Sequence, residues 1–145
     1  IYSGNKIGKN FQTGNKANIR ENNIIGNNVS IGTMSVVEHQ VLIEDNVRIH
    51  TNVFVPEFSK LKKGCWLGPH VVLTNAKRPN RPETKNELVG PVVNEGAVIG
   101  ANSTISPGVI IESNALVGAG SNVTKNIEKN QIVVGNPAQN LKKIQ

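Results

Sequence analysis

Stepping six residues at a time from Ile1 meets Ile7, Thr13, Ile19, Ile25, Ile31, Val37, Ile43, Ile49, Val55, Leu61, Leu67 and Leu73, and of these only Thr13 is not aliphatic. A second run starts at Val93 and continues through Ile99, Ile105, Ile111, Val117 and Val123. Four places after each aliphatic residue the chain is mostly small or β-branched, as at Ala17, Val29, Ser35, Cys65, Val71, Ala97 and Ser103. Asn recurs three places after it, at Asn10, Asn22, Asn28, Asn46, Asn52, Asn102, Asn114 and Asn126. A helix needs a period of about 3.6 and a lone strand a period of 2, so neither makes this pattern. A six-residue beat of β-branched residues predicts short strands separated by sharp corners, where Asn and Gly tolerate positive φ. Three strands then close a triangular coil of eighteen residues. Coils stack at about 4.8 Å, and the aliphatic columns fill a narrow prism. The expectation is an all-β chain, with one parallel β-helix domain over residues 1–145.

The two runs are out of phase, because 93 − 73 is 20 and not a multiple of six. Residues 75–90 have no inward aliphatic residue in step, and they carry Lys77, Arg78, Pro79, Arg81, Pro82, Glu83, Lys85 and Glu87. Such a segment is expected to leave the prism as a surface loop, and long ordered loops on rigid scaffolds are commonly functional. Residues from about 135 to 145 are expected to form a short C-terminal tail or helix. The chain opens on an in-phase Ile and not on Met, so the natural protein is expected to extend further N-terminally.

Residues eighteen apart lie above one another on such a prism. Stepping back from Asn75, where the loop departs, gives Glu57, His39 and Glu21. They form an expected outward ladder on one corner. Carboxylates on either side of an imidazole favour its charged form and fix its orientation, which is the chemistry of an acid/base or a substrate-binding ladder. Ala101, Ala119 and Pro137 are also eighteen apart. They predict a smooth edge along which a ligand can reach backbone groups. The three histidines, His39, His50 and His70, are expected on different corners and coils, which argues against a shared metal.

Composition narrows the partners. The length is that of one domain. Aromatics make up only 3%, as expected for a prism too narrow for large rings. The net charge of +6 gathers at Lys60, Lys62 and Lys63, in the loop and at the C-terminus. Nucleic-acid binding would call for aromatics interleaved with that charge, and the chain has almost none. No apolar run reaches about eighteen residues and no signal-peptide pattern is present, so the expectation is no membrane span and a cytoplasmic location. The single Cys65 falls on a small inward position and is expected to be core.

The segments "IGNNVSIG", "IEDNVRI", "IGANSTISPGVII" and the ending "LVGAGSNVTKNI…VVGNPAQ" resemble the hexapeptide-repeat acyltransferases with their left-handed parallel β-helix. The likeness runs over nearly the whole chain, and it alone supplies the hand of the coil. The ending "VGAGS…VTK…VVGNPA" is similar to the CoA-dependent members, and "GPHVVLTNAKRPNRP" to the branch that N-acylates amino sugars carried on nucleotides. The resemblance implies acetyl-CoA as co-substrate, a nucleotide-sugar acceptor and a homotrimer in which the loop crosses to a neighbouring subunit. Outward Val36, Phe54, Phe58 and Val72 agree with such an assembly. It places Asn75 of the "TN" pair close to the amine and the thioester, where it holds the amine or donates to the oxyanion. Glu57, or His39 through water, is placed to take the proton, and Glu21, His70 and Arg78 to bind the acceptor. The resemblance puts CoA against Ala101, Ala119 and Thr124, with Asn136 and Pro137 of "GNPA" ending the groove. Lys125, Lys142 and Lys143 are placed to meet its phosphates. Members acting on sugar hydroxyls usually carry a catalytic His in the loop, and "TNAKRP" has none. The alternatives are a γ-carbonic-anhydrase-like metalloenzyme, which needs three converging imidazoles, and a non-catalytic β-helix scaffold.

Overall fold

A computed structural model describes residues 1–141. Up to Val123 each hexapeptide forms a strand of two residues, and three sheets, parallel except for the last pair of sheet 2, make the walls of a left-handed β-helix. Sheet 1 runs from Lys6–Ile7 through Ile24–Ile25, Leu42–Ile43, Lys60–Leu61 and Val92–Val93 to Ile110–Ile111. Sheet 2 begins at Gln12–Thr13 and has eight strands. Sheet 3 holds Asn18–Ile19, Val36–Val37, Phe54–Val55, Val72–Leu73, Thr104–Ile105 and Asn122–Val123. The second residue of each strand points inward. Ile19, Val37, Val55, Leu73, Ile105 and Val123 form one such column, and all are buried.

The coils are held by backbone hydrogen bonds from each rung to the next, such as Val36 N to Val53 O at 2.9 Å and Phe54 N to Val71 O at 3.1 Å. The corners are left-handed single residues. Asn10, Asn22, Asn28, Asn46, Asn52, Asn102 and Asn114 all have φ between 54° and 62°, the conformation for which Asn and Gly carry the smallest penalty. Asn126 departs from the predicted set. It has no positive φ, and its side-chain oxygen accepts from Ile110 N at 2.9 Å.

The loop leaves where the sequence loses step. Leu61 pairs with Val93 in sheet 1, while Val72 and Leu73 pair with Thr104 and Ile105 in sheet 3. The extra residues therefore emerge from the edge between sheets 3 and 1. Val89 N donates to Asn75 O at 2.9 Å and closes the neck. Gly90 turns the chain back into the prism, so close to the backbone of Phe58 and Ser59 that a side chain there would collide.

A second slip comes near the C-terminus. Ile111 bridges to Ile127, and Val117 pairs with Val133, sixteen residues on and not eighteen. The expected tail or helix is a hairpin in which Ile132–Gly135 runs antiparallel to Ala138–Asn140.

Cys65 lies fully inside, in the inward position predicted for it. Burial pushes its thiol up to about 12, against about 8.5 for a free thiol. At pH 8 the folded chain should react with a disulfide reagent roughly a thousandfold more slowly than the unfolded chain, in proportion to thiolate. As pH rises past the unfolded thiol's pKa, the unfolded state loses its proton first, so stability falls with pH up to the folded value. Denaturant melts of Cys65→Ala should lack this loss.

Candidate active site

The edge between sheets 3 and 1 carries the polar ladder and the loop together. Asn75 Nδ2 donates to Glu57 Oε2 at 2.9 Å and to Glu57 O at 3.3 Å. A carboxylate only accepts, so the amide's NH2 side must face it. Both N–H groups are thereby engaged with Glu57, and Oδ1 is the atom that Asn75 is left to present. The other carboxylate oxygen, Glu57 Oε1, lies 3.6 Å from His39 Nε2, and His39 Nδ1 lies 3.2 Å from Gln40 Oε1. His39, Glu57 and Asn75 are half-buried and form one connected row.

Glu21 does not complete the row. Arg20 grips both of its oxygens at 2.8 and 2.9 Å, and also reaches Glu38 Oε2 at 3.3 Å. The hydrogen bond from Arg20 holds the Glu21 carboxyl below the usual carboxylate range. The Arg20 guanidinium also lies over the Tyr2 ring, 5.4 Å from its centroid. The ladder's foot is therefore an Arg20-centred ion cluster. Arg20 and Glu38 are eighteen apart, so the same stepping that found the ladder would have found them.

The base of this edge is fixed from inside. Asn23 is fully buried. Its Nδ2 and that of Asn5 both donate to Arg20 O, at 3.0 and 2.8 Å. Its Oδ1 accepts from Val41 N at 2.7 Å, and Asn5 Oδ1 accepts from Asn23 N at 2.9 Å. With every polar group paired, this amide column holds the corner without an unsatisfied donor.

The loop adds a concavity of about 450 Å³ lined by Ala76, Lys77, Arg78, Thr84, Glu87 and Val89. Thr84 Oγ1 shapes it by donating to Arg78 O at 2.8 Å and accepting from Arg81 N at 3.0 Å. Arg78 is exposed there.

The residues expected to meet CoA divide between two edges. Ala101 and Ala119 stack on the edge between sheets 2 and 3, where Gly120 N donates to Ala101 O at 2.8 Å. Ala119 is exposed there and Ala101 half-buried. Pro137 does not extend this ladder. The two-residue shortening of the last coil places Gly135 in that register, and Pro137 lies in the hairpin turn. Thr124 and Lys125 instead lie on the edge that bears Asn75, and with Pro137 they line a cavity of about 390 Å³. Asn136 Oδ1 accepts from Asn122 Nδ2 at 3.1 Å on the sheet 3 side. Lys142 and Lys143 lie outside the described residues.

The histidines are arranged differently from expectation. His50 and His70 share the edge between sheets 2 and 3 on adjacent coils, and His39 is on the other edge. The reason is that the corner holds four residues, so His50 at its start and His70 at its third place stay on one edge. His50 packs against Trp66 with ring centroids 4.6 Å apart. Among the described residues no three His, Cys, Asp or Glu side chains gather as a metal site.

Two sequence families match. Residues 90–125 match "Bacterial transferase hexapeptide (six repeats)" and residues 22–56 match "Hexapeptide repeat of succinyl-transferase". Galactoside O-acetyltransferase of Lactococcus lactis is 34% identical over 84 residues, covering 54% of this chain and 40% of that enzyme. A dTDP-3-amino-3,6-dideoxy-α-D-galactopyranose 3-N-acetyltransferase of Aneurinibacillus thermoaerophilus is 52% identical over 48 residues, covering 33% of this chain and 25% of that enzyme. The chain thus spans less than half the length of these relatives. In fold it is similar to AntD, an N-acyltransferase from Bacillus cereus solved with dTDP-4-amino-4,6-dideoxyglucose and Coenzyme A, with a TM-score of 0.81, 24% identity, and coverage of 94% of this chain and 81% of that one. Repeat, register and prism agree with the hexapeptide repeats that these two matched segments describe.

Proposed function

We propose that this chain transfers an acyl group from acetyl-CoA to an amine on a nucleotide-linked amino sugar. The observation that carries the reading is the His39–Glu57–Asn75 row at the neck of the extruded loop. With its Nδ2 engaged by Glu57, Asn75 has Oδ1 left as an acceptor, which suits an amine N–H better than an oxyanion. The amine nitrogen attacks the thioester carbonyl, a C–N bond forms, and the C–S bond breaks as the tetrahedral intermediate collapses. The amine's proton passes to Glu57, directly or by way of His39 and water, and the CoA sulfur leaves as thiolate and is protonated to the thiol. Positioning supplies much of the rate, because a neutral amine needs little activation. Cys65, buried and held protonated, is excluded as an acyl carrier. The related enzymes include both an O- and an N-acetyltransferase. The absence of His from the loop segment Thr74–Pro79 favours the amine.

The Ala101–Ala119 edge suits a pantetheine arm, whose amides can reach the backbone there. It lies across sheet 3 from Asn75, so a complete site needs the Ala edge of one copy beside the Asn75 edge of another. That supports a homotrimer, as do the outward Val36, Phe54 and Val72 of sheet 3 and the exposed Ile24 of sheet 1. His70, on the Ala edge, would then face the loop of a neighbour. No helix among the described residues is long and apolar enough to cross a membrane. The pairing of acetyl-CoA with a nucleotide sugar agrees with a cytoplasmic location.

Purified protein, acetyl-CoA and a panel of nucleotide-linked amino sugars, including dTDP-4-amino-4,6-dideoxyglucose, should release thiol with at least one sugar. Asn75→Ala should lower kcat about 100-fold on that sugar and leave acetyl-CoA binding intact. Normal turnover would move the active site elsewhere. Acetyl-CoA should raise the melting temperature by mass action. Ala119→Leu, at an exposed position, should keep the fold and lose that rise, and an undiminished rise would place CoA on another edge. Light scattering should give three times the chain mass. A stable, active monomer would contradict the shared site.

A further inference from the structure

Phe58 breaks the corner rule. At its place on this edge the preceding coils carry Asn22 and Gln40, and all three backbones are left-handed, with φ of 60°, 55° and 65°. That conformation is costly for a bulky side chain. Among the described non-glycine residues with positive φ, Met34 and Phe58 alone are large and apolar. Phe58 gains no core burial in return, being 40% exposed. Its ring stands edge-on to His39, with centroids 6.3 Å apart and planes at 87°. The residue before it, Glu57, joins His39 to Asn75. Its own backbone is where Gly90 brings the loop back. The ring is thus held where ladder, corner and loop root meet.

We infer that Phe58 is an acceptor-binding residue, a platform for the apolar C–H face of the sugar ring whose amine lies at Asn75. The inference rests on the transferase reading above. A pyranose carries polar groups around its rim and C–H groups on its faces. An exposed ring beside hydrogen-bonding Glu57 and Asn75 matches both parts, burying the face by dispersion and area while the row reads the rim. Backbone strain retained at a site of this kind is the pattern of a functional constraint.

The strain makes the idea testable, because removing Phe58 should help the fold and harm the binding. Phe58→Asn should raise the melting temperature by a few degrees, as should Met34→Asn on another edge. Phe58→Asn alone should raise KM for the best sugar of the panel by about tenfold, with the acetyl-CoA shift unchanged. Phe58→Tyr should keep the original KM. An unaltered KM in Phe58→Asn overturns the inference. So does a lower melting temperature with dissociation on dilution, which would assign the ring to a subunit contact. Absence of turnover by the unsubstituted protein marks failure of the transferase reading itself, whereas normal turnover with unaltered KM marks failure of this inference alone.

Discussion

Each coil is bound to the next by main-chain hydrogen bonds in a register that the inward aliphatic columns enforce. A strand of two residues can bury only one side chain, so a slip of one residue would turn the whole column outward. That restriction makes stacking strict, and strict stacking turns a sequence interval into a spatial one. Glu57 meets Asn75, and Lys62 meets Glu44 at 2.8 Å, because each pair is eighteen residues apart. The polar surface of this protein is therefore a set of columns, and its chemistry depends on what successive coils place in the same column.

Rigid columns cannot by themselves enclose a substrate. Enclosure comes from the two places where the register is interrupted. The insertion after Leu73 extrudes a loop from the edge that already bears the acidic and imidazole groups. The shortened coil after Val123 ends in the hairpin of Ile132–Gly135 and Ala138–Asn140 on sheet 2, which lines a second cavity together with Thr124 and Lys125. Both interruptions leave the inner columns intact, with Leu73, Val93, Val123 and Val133 all buried. The prism thus keeps its core while gaining concave surface at two levels.

Charge on this edge is sorted by height. At its foot Arg20 gathers Glu21, Glu38 and the Tyr2 ring. In the middle Glu57 is shared by an amide and an imidazole, neither of which is a fixed cation. At the loop and above, Lys77, Arg78 and Lys125 form no ion pair among the described residues. The unpaired cations suit phosphorylated ligands.

The repeat, the inward columns, the corner asparagines, the loop boundaries and the row from His39 to Asn75 were legible in the sequence, because each is a fixed interval on a strict lattice. The tertiary structure decided what intervals do not encode. It turned Glu21 away to Arg20, since two oxygens one residue from a guanidinium are satisfied locally before they reach the next coil. It set Asn75 with its NH2 toward Glu57, because a carboxylate can only accept. It moved Pro137 off the alanine edge, since a two-residue deletion is invisible until the pairing of Val117 with Val133 is seen. It also showed the Phe58 ring against His39, a contact governed by side-chain direction at a corner and not by spacing along the chain.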